Sequence, residues 1–145
     1  MVENFFSAGQ LILAHLKAVI NLPDTNIRPA PNEEWVIKNA VDKSIHVIFF
    51  DDQPNQKEHG SAGRGKSQIS KQFWMVTISL RNGSDFGNAA RTDAGDLVIQ
   101  VLKALQGFDL SKDHRPLKRE PCPKRNPDTG VFVHVPLMFS TTIII

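Results

Sequence analysis

The chain has 145 residues, of which 41% are hydrophobic and 22% charged, with 17 Lys and Arg against 15 Asp and Glu. This length and hydrophobic fraction predict one globular domain, residues 1–145, and exclude a disordered or multidomain chain. The formal charge of +2 is too small for a general nucleic-acid-binding surface, so any basic patch must be local.

The sequence also indicates the compartment. A single cysteine, Cys122, excludes an internal disulfide framework. The first residues lack the positive region of a signal peptide, and the longest apolar run is far shorter than the roughly 20 residues that span a bilayer. We therefore expect a protein of a reducing, aqueous compartment, with no membrane partner.

The first third of the chain predicts two helices. Apolar residues recur at helical spacing over residues 5–20, at Phe5, Ile12, Leu16 and Val19. After an extended, proline-rich passage, Asn32 is a candidate N-cap, followed by two acids in the first turn of a short helix ending near Ala40. The pattern therefore predicts an α-α beginning.

Two strands and a long connection follow. Residues 45–50 and 71–80 are rich in β-branched and aromatic residues, which favour strands. The polar residues between them, 51–70, have no periodicity and form a connection long enough to indicate a functional or disordered loop. The final residues, 131–145, alternate as a long strand, in which Pro136 indicates an edge, a bulge or a bend.

Between the strands lies a third helix, whose cap we predict at Thr92 or Asp93 and whose end we predict at Gly107. Its apolar stripe is formed by Leu97, Val98, Val101, Leu102 and Leu105. Residues 107–130 are polar, with a short strand near 116–118. The element order predicts an α+β fold: a mostly antiparallel sheet with helices packed on one face and a long β-hairpin loop.

Within that loop, residues 60–67 read GSAGRGKS and match the P-loop pattern GxxxxGK[ST]. A P-loop requires a strand leading directly into the glycines and a helix beginning at Lys66 and Ser67. Here the preceding strand ends at Phe50, and the following segment predicts a strand. The pattern therefore favours a solvated hairpin tip, and a P-loop-like nucleotide binder stays as the alternative from a different functional class.

No catalytic, metal or cofactor site is predicted. The five histidines lack a second ligand at metal-binding spacing and are dispersed, at His15, His46, His59, His114 and His134. The pairs Asp51-Asp52 and Asp93/Asp96 are explained by a strand end and a helix cap. We therefore expect a binding or assembly domain and not an enzyme.

Two features favour assembly. Six cations against two acids give residues 112–125 a local charge of +4, without the interleaved aromatics of a base-stacking surface. The isoleucine-rich C-terminus, if it lies at a sheet edge, exposes backbone and apolar groups that a neighbouring subunit could cover.

Short motifs along the chain resemble those of tail terminator, or tail completion, proteins of tailed bacteriophages, particularly of Mu-like phages and prophages. The motifs are ILAHLK (12–17), RP (28–29), QFWMV (72–76), DAGDL (93–97), ALQGF (104–108), RPL (115–117) and VPLMFSTT (135–142). The resemblance implies an α+β subunit of a homohexameric ring at the head-proximal end of the tail tube. Such a ring stops tube polymerisation and binds head-completion proteins, while DNA passes through its channel without sequence-specific binding.

This interpretation directs attention to exposed loops and edges. The candidate interface residues are Asp52, Lys57, Arg64, Lys66, Arg81, Arg91, Arg115, Lys118, Arg119 and Ile144. The predicted partners are other copies of the chain, the tube protein and the neck proteins. The predicted location is the virion tail, and the host cytoplasm during assembly. A neck or head-completion connector subunit stays as the alternative within the same class.

Overall fold

A computed structural model describes residue 2 and residues 4–54, 69–82, 88–123 and 131–144. These residues contain three helices: α1 (Ser7–Val19), α2 (Glu33–Asn39) and α3 (Asn88–Leu105). They also contain five strands: β1 (Ile27–Pro29), β2 (Ser44–Pro54), β3 (Ile69–Arg81), β4 (Lys118–Glu120) and β5 (Phe132–Ile144). The α+β class predicted from the sequence is confirmed.

All five strands form one sheet in the order β1-β2-β3-β5-β4. The pairs β2-β3, β3-β5 and β5-β4 are antiparallel, and only the short β1 runs parallel to β2. The longest pairing joins β3 and β5 from Ile69↔Ile144 to Arg81↔Phe132 without a break in register. The predicted mostly antiparallel sheet is therefore confirmed, and β3 lies at its centre.

The main hydrophobic core fills the space between one face of the sheet and helices α1 and α3, and we call this side the α1/α3 face. Because side chains alternate along a strand, every second residue of β3 points into this core. The strand contributions are Ile45 and Val47; Trp74, Val76, Ile78 and Leu80; Val133, Leu137 and Phe139. Three residues of the predicted α3 stripe, Leu97, Val101 and Leu105, are buried, and Val98 and Leu102 are partly buried beside them.

Helix α2 lies on the other side of the sheet, which we call the α2 face. Its Val36 packs against Ile48, Met75 and Met138 in a second, smaller core. The prediction that helices pack on one face therefore holds for α1 and α3 but not for α2. Seven residues are too few to display a helical stripe, so the sequence did not indicate which face α2 would cover.

Strands β2 and β3 extend beyond their predicted boundaries, and α3 begins before its predicted cap. Strand β2 continues past Phe50 to Pro54, with a register irregularity between Phe49 and Asp51, and β3 begins at Ile69. Most of the predicted loop, residues 55–68, lies outside the described residues. Helix α3 begins at Asn88 and not at the cap predicted at Thr92 or Asp93. Asp51 and Asp52 therefore extend β2 and do not end it.

Other local predictions are confirmed. The backbone N–H of Trp35 donates to Oδ1 of Asn32 at 2.8 Å, which is the predicted N-cap of α2. Gly107 has φ +77°, the left-handed conformation that commonly ends a helix. Strand β5 lies between β3 and β4, but β4 pairs only with residues 138–140. Among the described residues, Pro136 therefore has no strand neighbour on that side, as its missing N–H requires.

Two helix glycines provide a matched test of the packing of α1 against the sheet. A Cβ added at Gly9 would lie 2.5 Å from Cζ3 of Trp74, whereas one at Gly95 in α3 would meet nothing within 4 Å. Gly9→Ala should lower the free energy of unfolding by about 1–3 kcal/mol, because overpacking outweighs the gain in helix propensity. Gly95→Ala should raise it by up to about 1 kcal/mol. Chemical denaturation of both variants checks this, and equal effects would contradict the contact.

A second pair tests the face of α3. Leu105 is fully buried, whereas Ile99 on the same helix is 51% exposed. Leu105→Ala should lower the free energy of unfolding by about 2–5 kcal/mol. Ile99→Ala should change it by less than about 0.5 kcal/mol. Similar losses for the two variants would show that the buried stripe has been misassigned.

Candidate assembly interfaces

The structure separates the predicted interface residues into several places. Lys57, Arg64 and Lys66 lie outside the described residues, so they stay predictions. Three cations lie on or just before strand β4: Arg115, Lys118 and Arg119. Asp52 lies across the sheet on β2. Arg81 ends β3 at the other end of the strands, and Arg91 lies on α3.

The β4 edge is basic. We use this name for the exposed side chains of Lys112, Arg115, Lys118 and Arg119. Its backbone is fixed by two hydrogen bonds at one buried residue: Leu117 N–H donates to the Phe108 carbonyl at 3.0 Å, and its carbonyl accepts from Gly107 N–H at 2.8 Å. The segment is therefore held against the end of α3 while its cations face outward.

The edge is also tied to the end of β5. Arg115 N–H donates to the Thr142 carbonyl at 2.9 Å, and the Thr141 hydroxyl donates to the Arg115 carbonyl at 2.7 Å. Because these bonds use only the backbone of Arg115, its guanidinium is not needed to hold the fold. The side chain is therefore available to a partner.

The acid at the end of β4 is already neutralised within the subunit. A carboxylate oxygen of Glu120 lies 3.0 Å from Nζ of Lys71 and accepts from the Ser140 hydroxyl at 2.9 Å. The hydrogen bond from Lys71 is the main cause that lowers the pKa of Glu120 below its usual range. The positive charge of Lys118 and Arg119 is therefore not cancelled by their neighbour.

A groove of about 570 Å³ extends from this edge along the end of the sheet, and Arg115 and Ile144 both line it. Ile144 ends β5 and is 47% exposed, although β5 lies between β3 and β4 and is not the edge strand that the sequence analysis considered. At the same groove the buried His114 bonds through Nδ1 to the Ser111 hydroxyl at 2.7 Å and through Nε2 to the Ser7 hydroxyl at 3.3 Å. Burial lowers the pKa of His114, so this imidazole links the 111–114 turn to α1 as a neutral group.

The β2 edge carries the opposite charge. Beyond the residues that pair with β1, the side of β2 away from β3 has no strand neighbour among the described residues. Asp51 is exposed there, and Asp52 is half-buried and accepts from the Ser70 hydroxyl at 3.4 Å. A groove of about 470 Å³ separates this part of β2 from the start of α2 and is lined by Pro31, Asn32, Glu33, Glu34, Ile48, Phe49, Phe50 and Met75.

Sequence reasoning missed part of this edge. Glu34 and Asp51 were explained as a helix first-turn acid and a strand end, which accounts for each residue alone. The parallel pairing of β1 with β2 brings the two segments together. No pattern within either segment indicates that pairing. The four cations of the β4 edge, in contrast, all fall within the single segment 112–119 and are visible in the sequence.

A polar strip crosses the α2 face and was also missed. Ser44, His46, Thr77, Ser79 and His134 are each 1% exposed or less. The Ser79 hydroxyl and Nδ1 of His134 lie 2.7 Å apart in a hydrogen bond, while neither ring nitrogen of His46 has a hydrogen-bond partner among the described residues. Burial, then the nearby Arg28, lowers the pKa of His46 to about 4. A neutral imidazole is therefore built into the sheet.

The described residues do not assemble a P-loop. A helix beginning at Lys66 and Ser67 would have to continue through residue 69, where strand β3 begins and pairs with β5. In the same described ranges, no three His, Cys, Asp or Glu side chains group as a metal ion would require. None of the helices there is long and apolar enough to cross a bilayer.

The described part of the chain is an α+β sheet with exposed cations along β4 and exposed acids beside residues 48–54 of β2. The model of the phage tail terminator protein family matches this chain over residues 1–145. The chain belongs to that family, and it is a structural protein of the virion tail. The resemblance seen in the sequence is confirmed at the level of the family.

No curated protein matches the chain. Among solved structures, it is similar to a chain described as "Virion of native gene transfer agent (GTA) particle", at 14% sequence identity with a TM-score of 0.57. The alignment covers 98% of this chain and 99% of the other. That likeness shows a shared fold.

The buried imidazole of His46 predicts a loss of stability in acid. Its pKa is about 4 in the folded state and about 6.5 unfolded, so the unfolded chain binds more protons between these values. Stability is full above pH 6.5 and falls as the pH drops. Between pH 7 and about 4.5 the free energy of unfolding should decrease by about 2–3 kcal/mol through this residue.

The control variant is His46→Leu, which removes the titrating group from a site where its nitrogens make no hydrogen bond to any described residue. Denaturation curves across that pH range should show a much smaller decrease for the variant. A residual slope is expected from His114, whose pKa is lowered in the same direction. Parallel pH profiles for the wild type and the variant would contradict the assignment.

Proposed function

We propose that this protein caps the head-proximal end of the phage tail tube as a ring of identical subunits. In that position it stops polymerisation of the tube protein and offers an attachment surface to the head-completion proteins of the neck. The observation that carries the proposal is the family match over the whole chain.

The surface of the subunit supports this role. A ring subunit that joins a tube to a neck needs two lateral contacts, which join it to its neighbours, and two axial contacts. The basic β4 edge and the acidic β2 edge lie at opposite lateral edges of the sheet and suit lateral contacts. The ends of the strands, with Ile144 at one end and Arg81 at the other, suit axial contacts.

The two axial surfaces differ in chemistry. At one end Ile144 and the apolar Ile69 border the groove beside Arg115. At the other end the guanidinium of Arg81 lies 5.8 Å from the ring centroid of Phe132. The backbone N–H of Arg81 donates to Oδ1 of Asp42 at 2.8 Å. Unlike ends are what a connector between two different partners requires. The residues of the 55–68 segment, including Lys57, Arg64 and Lys66, stay proposed contacts to the tube or to a neighbouring subunit.

The proposal is tested by a nonsense mutation in this gene, followed by electron microscopy of the resulting lysates. We expect tails of abnormal and variable length without attached heads, because nothing would stop tube growth. Expression of the wild-type protein from a plasmid is the control and should restore tails of uniform length joined to heads.

Other outcomes separate the alternatives. Tails of normal length that fail to join heads would contradict length termination and assign the protein to neck completion. Intact infectious particles would contradict both assembly roles. In that case thermal shift with millimolar ATP and magnesium would test the nucleotide-binding alternative, because ligand at 100 times its Kd stabilises the folded state by about 2.7 kcal/mol.

A further inference from the structure

The register of the sheet aligns the two charged edges with each other. Each residue of β4 is connected through β5 and β3 to one residue of β2 in a row that crosses the strands. The row that contains the first residue of β4 consists of Asp51, Phe73, Ser140 and Lys118. The acidic residue and the basic residue therefore lie at opposite ends of one row, three strand spacings or roughly 14 Å apart.

These two residues also share a face. Phe73 packs against the small core under α2, and Met138, two residues before Ser140, belongs to that core. Because paired residues point to the same side of a sheet, Asp51 and Lys118 both project from the α2 face. Arg119 and Asp52 project from the opposite face but lie in different rows: Arg119 pairs with Phe139 of the main core, and Asp52 pairs with Gln72.

Strand directions allow the edges to pair. Strands β2, β3, β5 and β4 alternate in direction, since each neighbouring pair is antiparallel. If a second copy continues the sheet beyond β4, its β2 would therefore be antiparallel to β4. Within the described part of the chain, β1 pairs with β2 at residues 45–47, and no other strand lies beside residues 48–54 on that side. The uncovered part of β2 includes the rows in which β4 lies.

We propose that copies of this chain associate head to tail through these edges, with β4 of one copy pairing with residues 48–54 of the next, so that Lys118 lies opposite Asp51 of the next copy. Arg119 then lies diagonally across from Asp52 of that copy on the α1/α3 face. This contact is the lateral contact between neighbouring subunits of the proposed ring. The inference rests on the proposed function, because closure into a ring is part of that function.

Charge complementarity selects a second copy as the occupant. The Lys118 side chain of one copy enters the groove between β2 and α2, where Glu34 adds a further exposed acid. Glu120, the acid on β4, is held by Lys71 of its own subunit and does not repel the β2 edge. Exposed charges also protect sheet edges from aggregation. Opposite charges in the same row favour pairing of β4 in one copy with β2 in the next. Pairing of two β2 edges or of two β4 edges would place like charges opposite one another and is disfavoured.

The test uses the purified full-length chain and sedimentation velocity at low ionic strength. We expect the wild type to self-associate and to dissociate as salt rises from ~20 mM to ~500 mM, because salt screens exposed ion pairs. Lys118→Glu and Asp51→Lys should each raise the Kd of self-association at least about tenfold, because each places like charges opposite one another. A chain carrying both changes should recover wild-type association, since the pair is restored with reversed signs.

Matched charge reversals on the helices serve as controls. Lys17→Glu on α1 and Asp96→Lys on α3 change the net charge by the same amounts at exposed positions away from the edges. Both should associate like the wild type. Circular dichroism melting of every variant establishes that it is folded before association is compared.

Three results would overturn the proposed contact: a wild type that stays monomeric at low salt, single reversals that associate normally, or a double reversal that does not recover. These results leave the capping function untouched, because that function is tested by tail length in the nonsense mutant. Conversely, normal tails in the nonsense mutant, together with recovery by the double reversal, would support the contact and refute the capping function.

Discussion

The two-sided burial of the central strand β3 is the constraint on which the rest of the structure depends. Its even-numbered residues from Trp74 to Leu80 fill the main core, and Met75 on the other side anchors the second core under α2. A strand buried on both faces must have its backbone hydrogen bonds satisfied by strands on each side. The pairings with β2 and β5 along nearly its whole length meet that requirement and fix the register of the sheet.

The register of the central strands also determines where the edge strands lie along the sheet. Because β3 and β5 pair over thirteen residues without a shift, the short β4 can occupy only the rows where it bonds to residues 138–140. Strand β1 is likewise confined to the other end of β2 by its pairing with residues 45–47. The free part of β2 and the whole of β4 consequently lie level with each other across the sheet. A charged residue placed on either edge has a defined counterpart on the other.

The sequence predicted what depends on local periodicity and chemistry. The α1 and α3 stripes, the Asn32 cap, the αL residue Gly107 and the strands with alternating apolar residues are properties of short windows. It missed what depends on pairing between distant segments. The placement of α2 on the second face follows from the buried residues of β2, β3 and β5, and the seven residues of α2 do not encode it. The extension of β2 through Asp51 and Asp52 is likewise stabilised by pairing with β3, which overrides the low strand propensity of aspartate.

Composition concealed the proposed interface for the same reason. A net charge of +2 indicates no strongly charged surface when the charges are evenly mixed, whereas here four exposed cations lie along the β4 edge and the exposed Glu34 and Asp51 lie beside residues 48–54 of β2. The cations are visible in the sequence because they fall within residues 112–119. The acids come from two segments that only β1-β2 pairing brings together, so they do not form a recognisable run. For the proposed ring subunit, a near-zero net charge with one basic and one acidic edge would limit repulsion between copies while still specifying the contact. The small net charge is therefore consistent with assembly as the main use of the surface.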